Sequence, residues 1–229
     1  MYDTTAELSD KLKDHHALAW QQIASAGDFF PGAQRIAMVH AAREALQCQL
    51  CGSRKTALSP NSVSGEHDDT SGLDPAIVDF IHRLRTDPGR LTKTVFTTLT
   101  STISEQAYVE IVSVVASSVI IDTLHNALGL GVPRLPQAIP GKPRGSFNDA
   151  AVDGGAWVPI LAAPSDMADT GLPRVPNIAR SLGLVTSALE LFFLTFRPHY
   201  ALKDIDLSIS QSQAEFVAAR VSAMNECFY

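Results

Sequence analysis

One segment constrains the fold more than any other: residues 104–129, SEQAYVEIVSVVASSVIIDTLHNALG. Its many β-branched side chains favour a strand. Its length favours a helix, because strands of globular proteins are usually about 3–10 residues long. The Ser104-Glu105 start and the terminal Gly129 are typical boundary signals of a helix. We therefore predict a long buried helix here, in a protein that is mainly helical.

The remaining sequence shows helical spacing of its apolar residues in several separate stretches. The predicted helices cover residues 6–25, 34–58, 76–86, 92–100, 178–200 and 213–227. Residues 59–75 are rich in Ser, Gly, Asp and Pro, which predicts a mobile polar loop. Residues 130–145 are rich in Pro and Gly and are predicted to lack regular structure. The chain thus divides into a core over 1–130, a linker over 131–146 and a second segment over 147–229.

Composition narrows the classes of partner and the compartment. The 229 residues carry a formal net charge of −6 and no Lys/Arg-rich run, so we expect neither a nucleic-acid nor a membrane partner. The amino-terminal sequence is polar and mixed in charge, unlike a signal or transit peptide. The longest apolar run, 112–121, is too short to span a bilayer. These features predict a cytoplasmic soluble protein.

Cysteines are the residues with the clearest chemical potential. Two of the three, Cys48 and Cys51, form a C-x-x-C, and the third is Cys227. In a reducing compartment this spacing indicates redox chemistry or metal binding rather than a disulfide framework. The alternative is that they are small packing residues, because free cysteine is among the most buried residue types.

The carboxyl-terminal stretch QAEFVAARVSAMNECFY (213–229) resembles the signature helix of the alkylhydroperoxidase D (AhpD)/carboxymuconolactone decarboxylase superfamily. Glu215, twelve residues before Cys227, matches that pattern. Further matches are Ser222, Ala223, Asn225 and Tyr229. The preceding GLPRVPNIARSLGL (171–184) is similar to the peroxidase-related branch. The second cysteine and the histidine of the pattern would fall beyond Tyr229, so we expect this site to be complete only if the chain continues.

The first half resembles the same superfamily through its C-x-x-C and the helices that follow, 78–92 and 103–130. Lys55 stands in place of the family's histidine and Ile36 in place of its glutamate. Glu44, one helical turn before Cys48, is the nearest carboxylate for that role. The resemblance implies that Cys51 attacks peroxide and that Cys48 resolves the product.

Other residues near the C-x-x-C have supporting roles on this hypothesis. Arg54 and Lys55 would stabilise a thiolate in place of the missing histidine. His40, eight residues before Cys48, would face the thiols from the same helix surface.

By this resemblance we expect an all-α, AhpD-like bundle with a second, partial copy of the unit. The implied activity is thiol-dependent hydroperoxide reduction, with a hydroperoxide substrate, a thiol electron donor, no cofactor and no metal. Uncovered helix faces in the incomplete copy predict a homo-oligomer. Two alternatives are a decarboxylase-like enzyme acting on a small lactone and an inactive oligomeric protein that has kept the fold.

The remaining histidines receive simpler interpretations. Asp122 and His125 lie three residues apart on one helix face, as a metal pair would, but a buried or surface pair with other partners is favoured. His15, His16, His67 and His199 lie in polar or turn contexts and are predicted to be solvated.

Overall fold

A computed structural model describes residues 1–162, 176–199 and 208–224 of the chain. These residues form helices and contain no β-strand beyond an isolated bridge between Val152 and Ile160. The helices are α1 Asp10–Ala24, α2 Gly32–Glu44, α3 Gln49–Thr56, α4 Pro75–Thr86, α5 Lys93–Thr100, α6 Glu105–Ala127, α7 Asn177–Leu182, α8 Thr186–Phe196 and α9 Gln211–Met224. The described part of the chain is therefore helical, as predicted.

Helix α6 is the central element. The Ser104 hydroxyl caps its amino end by accepting a hydrogen bond from the Ala107 N–H (3.1 Å), and Gly129 follows its last turn with φ of 71°. By length and composition α6 is the one described helix that could cross a membrane. It packs instead against α1, α2, α4, α5, α7 and α8, and much of its surface is buried. The predicted long buried helix is confirmed.

The core joins both halves of the sequence. Ile111, Val114 and Ile121 of α6 pack in one apolar cluster with side chains from α1, α2 and α4 and with Leu191 of α8. A second cluster brings Val109 of α6 together with residues that flank and form α7 and α8. Helices α7 and α8 of the second segment thus bury apolar side chains against the first segment. Whether it is a second copy of the same unit stays a prediction.

Residues 130–145 have no regular structure, as predicted, and lie beside the carboxyl end of α1 in space. The Ile139 N–H donates to the Ala24 carbonyl (2.8 Å), and the Gly145 N–H donates to the Asp28 carbonyl (2.6 Å). The Trp20 indole donates to the Arg134 carbonyl (3.0 Å). These bonds replace the ladder of a helix or sheet and hold the segment in place.

Two predicted helices are divided in the structure. The helix predicted over 34–58 ends at Glu44, and α3 begins only after Cys48, which has an extended backbone (φ −66°, ψ 126°). The helix predicted over 178–200 is interrupted around Gly183, and the extended residue Val185 precedes α8. In both cases the apolar stripe continues across the break, so periodicity alone did not reveal it.

Candidate functional site

Two cysteines and two histidines meet beside the amino end of α3. His67 Nδ1 lies 3.4 Å from Cys48 Sγ and 3.7 Å from Cys51 Sγ. His82 Nδ1 lies 3.4 Å from Cys51 Sγ. The four side-chain atoms all lie within 4.8 Å of one another, and both thiols are free. We refer to Cys48, Cys51, His67 and His82 as the Cys2His2 cluster.

The break before α3 positions the two sulfurs. Cys48 is the N-cap residue and Cys51 lies in the first turn, so the C-x-x-C begins the helix instead of lying within one. The Asp68 carboxylate accepts a hydrogen bond from the Gln49 N–H (2.8 Å) and so satisfies one of the free donors of this terminus. Both cysteines are only 4% exposed.

The histidines come from two other elements. His82 lies on the buried face of α4, next to the core residue Ile81, and is 0% exposed. His67 lies in the segment between α3 and α4, and its side chain is 8% exposed. This segment is anchored on either side of the cluster, since Thr70 binds the Glu44 carboxylate through both its N–H (2.9 Å) and its hydroxyl (2.6 Å).

Asp79 lies behind His67. Its Oδ1 accepts hydrogen bonds from His67 Nε2 (2.9 Å) and Arg54 Nη1 (2.6 Å), while its Oδ2 accepts from Arg83 Nε (2.7 Å). The carboxylate therefore fixes the orientation of the imidazole ring and leaves Nδ1 directed at the sulfurs. The two arginines in turn fix the carboxylate.

The pKa values of the two histidines are shifted in opposite directions. Burial opposes a charge on His67, but Asp79 and the two sulfurs raise its pKa to about 10. Burial, together with the nearby His67, lowers the pKa of His82 to about 4. Burial of Asp79 is outweighed by its hydrogen bonds from His67, Arg83 and Arg54, which hold its pKa below the ordinary value. At neutral pH the cluster thus has one cationic and one neutral imidazole.

The surroundings of Cys48 favour its thiolate form. Burial alone would raise the pKa of Cys48, but the backbone N–H groups of Cys51 and Asp68, together with the His67 ring, lower it below its ordinary value. This is the effect expected at a helix amino terminus beside a cationic side chain.

The structure brings together only part of the predicted site. Cys48 and Cys51 are central to the cluster, with Arg54 connected to it through Asp79. Lys55 is exposed to solvent. His40 faces Thr70 Oγ1 (3.2 Å) and Glu44 instead of the thiols, so its predicted orientation is wrong. Glu44 likewise contacts Thr70 rather than a sulfur.

The carboxyl-terminal half of the predicted site is described only in part. Cys227 lies outside the described residues. Glu215 lies on α9, where its Oε1 accepts a hydrogen bond from Gln211 Nε2 (2.7 Å). The role that the resemblance implies for these two residues stays a prediction.

The prediction that His67 is solvated is wrong, because hydrogen bonds from its own loop bring it into the cluster. Sequence reasoning did not single out His82 or Asp79. A signal was present: His82 lies on the apolar stripe of a predicted helix, next to Ile81 and four residues after Val78, where a polar side chain requires a partner.

Two of the other histidines, His16 and His125, are buried. His16 is 0% exposed, with Nε2 near the Thr195 carbonyl (3.1 Å) and near Nε2 of the half-buried His199 (3.0 Å), so the prediction that His16 is solvated is wrong. Asp122 and His125 are both buried, as one of the two favoured interpretations expected, but each binds other groups. Asp122 forms a bidentate pair with Arg43 (2.7 and 2.8 Å), and His125 binds the Ile121 and Met1 carbonyls.

Two reactions suit this arrangement. Neighbouring thiols beside a proton carrier can be oxidised to a disulfide. Two sulfurs and two imidazole nitrogens at this separation can also hold a thiophilic divalent cation. A small cleft reaches Cys51 from outside and is bordered by Arg54, Arg83 and Arg90.

Comparison of the chain with models of protein families, with characterised proteins and with solved structures finds no match. The resemblance to the AhpD superfamily therefore depends on the sequence motifs alone.

Proposed function

We propose that the protein is a thiol-dependent oxidoreductase that reduces hydroperoxides through Cys48 and Cys51. The supporting observation is the position of His67, whose Nδ1 lies 3.4 and 3.7 Å from the two sulfurs while Asp79 holds its Nε2. A thiolate nucleophile needs an activating cation, and the departing alkoxide needs a proton donor. One imidazolium supplies both requirements.

The reaction balances with these groups and an external thiol. A thiolate attacks the outer oxygen of the hydroperoxide, the O–O bond breaks, and the alkoxide leaves as an alcohol after taking a proton from His67. The resulting sulfenic acid is attacked by the second sulfur, which forms a disulfide and releases water. An external dithiol then returns two electrons and two protons. The sulfurs, within 4.8 Å of each other, need only side-chain and local backbone adjustment to form that bond.

The geometry favours Cys48 as the attacking sulfur. It is the N-cap residue of α3, and the backbone N–H groups of Cys51 and Asp68 lower the pKa of its thiol. The family resemblance implies the opposite order, and the cleft reaches Cys51. Trapping of the sulfenic acid decides between the two orders, because the intermediate accumulates on the attacking cysteine when the other is replaced by serine.

Substrate access is narrow because both sulfurs are nearly buried. The cleft beside Cys51 is small and is bordered by Asp87 and by three arginines that pair with Asp79 or Asp87. This setting favours a small hydroperoxide over a bulky lipid hydroperoxide.

The test measures peroxide consumption by the reduced full chain with a dithiol donor and a metal chelator present. We expect Cys48→Ser and Cys51→Ser each to reduce turnover to the background rate. His67→Gln should lower it about 100-fold or more, the usual contribution of a general acid or base. His40→Gln is the matched control, since that histidine is nearby and does not contact the sulfurs. Wild-type turnover in both serine variants would refute the proposal.

A further inference from the structure

The Cys2His2 cluster has the geometry of a four-coordinate metal site. In such sites zinc lies about 2.3 Å from sulfur and about 2.0–2.1 Å from nitrogen, so a tetrahedron places sulfur and nitrogen about 3.5 Å apart. Three of the four sulfur–nitrogen separations here are 3.4, 3.7 and 3.4 Å, and all four ligand atoms lie within 4.8 Å of one another. These three separations match those of a tetrahedral zinc site.

The surroundings of the cluster suit a metal as well. The ring nitrogen of His67 that faces away from the sulfurs donates to Asp79 at 2.9 Å, the carboxylate–histidine arrangement that orients metal-binding imidazoles. Arg54 and Arg83 hold that carboxylate in place. His82 is 0% exposed, so packing restricts its ring, and its Nδ1 lies 3.4 Å from Cys51 Sγ.

The donor set selects the class of ion. Two sulfurs and two imidazoles favour a thiophilic cation such as Zn²⁺, whereas Mg²⁺ and Ca²⁺ prefer oxygen ligands. Two thiolates neutralise the charge of a divalent ion, which makes its burial acceptable. With four protein ligands such a site has no open position for substrate, as in structural rather than catalytic zinc sites.

We propose that the reduced protein binds one Zn²⁺ through Cys48, Cys51, His67 and His82. The bound ion links α3, α4 and the loop between them. It also bonds to both sulfurs, so the zinc-loaded form is inactive in the proposed peroxide chemistry. The binding itself does not depend on that chemistry.

The experiment uses the reduced, metal-free full chain with Cys227→Ser, which removes the third thiol. Titration with Co²⁺ should reach one ion per chain and produce thiolate charge-transfer absorption together with the intense visible bands of a tetrahedral site. Added Zn²⁺ should displace the cobalt and abolish these bands. His67→Gln and His82→Gln should each weaken binding at least as much as loss of a supporting carboxylate, about 10–100-fold. His40→Gln should leave it unchanged.

Circular dichroism of each metal-free variant shows beforehand whether it is folded. His67 lies in a loop, so its variant keeps the test valid if replacement of the buried His82 prevents folding. Absence of stoichiometric binding, or binding that His67→Gln leaves unchanged, would overturn the inference. Zinc binding is measured without peroxide, and peroxide turnover with chelator, so either proposal can fail while the other stands.

Discussion

The buried carboxylate of Glu110 allows a quantitative test of how α6 is connected to the start of α2. Its Oε2 accepts hydrogen bonds from the Asp28 N–H (3.0 Å) and the Phe29 N–H (2.6 Å), and its Oε1 lies 3.5 Å from Arg35 Nε. Glu110 is 1% exposed and Arg35 is 4% exposed. Burial raises the pKa of Glu110 and lowers that of Arg35, although each opposite charge resists the shift.

Removing one member of the Glu110–Arg35 ion pair should therefore lower the free energy of unfolding by far more than the intact pair adds to it. Breaking a buried ion pair typically costs about 3–5 kcal/mol, since the remaining charge is buried without a partner. We expect Glu110→Ala to lower the free energy of unfolding by about 4 kcal/mol, because it also leaves two backbone N–H groups without an acceptor. Glu110→Gln keeps an acceptor for them and should cost less, about 2 kcal/mol.

Urea unfolding at neutral pH, followed by circular dichroism, measures these differences. The matched control is Glu190→Ala on the exposed face of α8, expected within about 0.5 kcal/mol of wild type. In the cycle with Arg35→Met, the double variant with Glu110→Gln should be at least about 1 kcal/mol more stable than the sum of the single effects predicts. A Glu110→Ala protein within about 1 kcal/mol of wild type would refute this account of the network.

Two further predictions concern stability. Burial lowers the pKa of His16 to about 4, so the unfolded chain binds a proton near pH 6.5 that the folded chain does not accept. The contribution of neutral His16 to the free energy of unfolding is therefore complete above pH 6.5 and is lost as pH falls toward 4, by about 2–3 kcal/mol at most. His16→Gln should flatten the dependence of stability on pH in that window. Equal slopes of unfolding free energy against pH in the wild type and in His16→Gln would contradict the assignment of this effect to His16. A Cβ on Gly27 would lie 1.9 Å from Glu110 Oε1, so Gly27→Ala should destabilise by about 1–3 kcal/mol. Gly52→Ala in α3, with nothing within 4 Å of its Cβ, should instead stabilise by about 0.5–1 kcal/mol, and thermal unfolding of the pair checks both signs.

The sequence predicted those elements whose signals are local. Helix α6 followed from its length and its Ser104 cap, and Asp74 before Pro75 marked the start of α4. The break before α3 could not be predicted because residues 45–48 contain neither Pro nor Gly and continue the apolar stripe. It is stabilised by Asp68, which caps Gln49 from another segment, and such a contact has no signature in the sequence around Cys48.

The Cys2His2 cluster, too, was predicted only in part. The C-x-x-C spacing marks the two cysteines as a candidate site, and His82 could have been found as a polar residue on an apolar helix face. The position of His67 depends on how its loop folds back, which is determined by bonds from Asp68 and Thr70 to residues before and within α3. No periodicity relates that loop to the cysteines, and its polar composition favoured the opposite conclusion.

The two proposed chemistries require different things of His82. Peroxide reduction needs the two sulfurs, His67 as proton carrier and Asp79 behind it, and in that scheme a second, neutral imidazole transfers no proton. A tetrahedral ion needs a fourth ligand, and His82 Nδ1, 3.4 Å from Cys51 Sγ, is the described atom in position to supply it. His82→Gln thus separates the two functions: turnover in chelator should persist if the cluster is a redox centre, while cobalt and zinc binding should weaken at least about 10-fold if it is a metal centre.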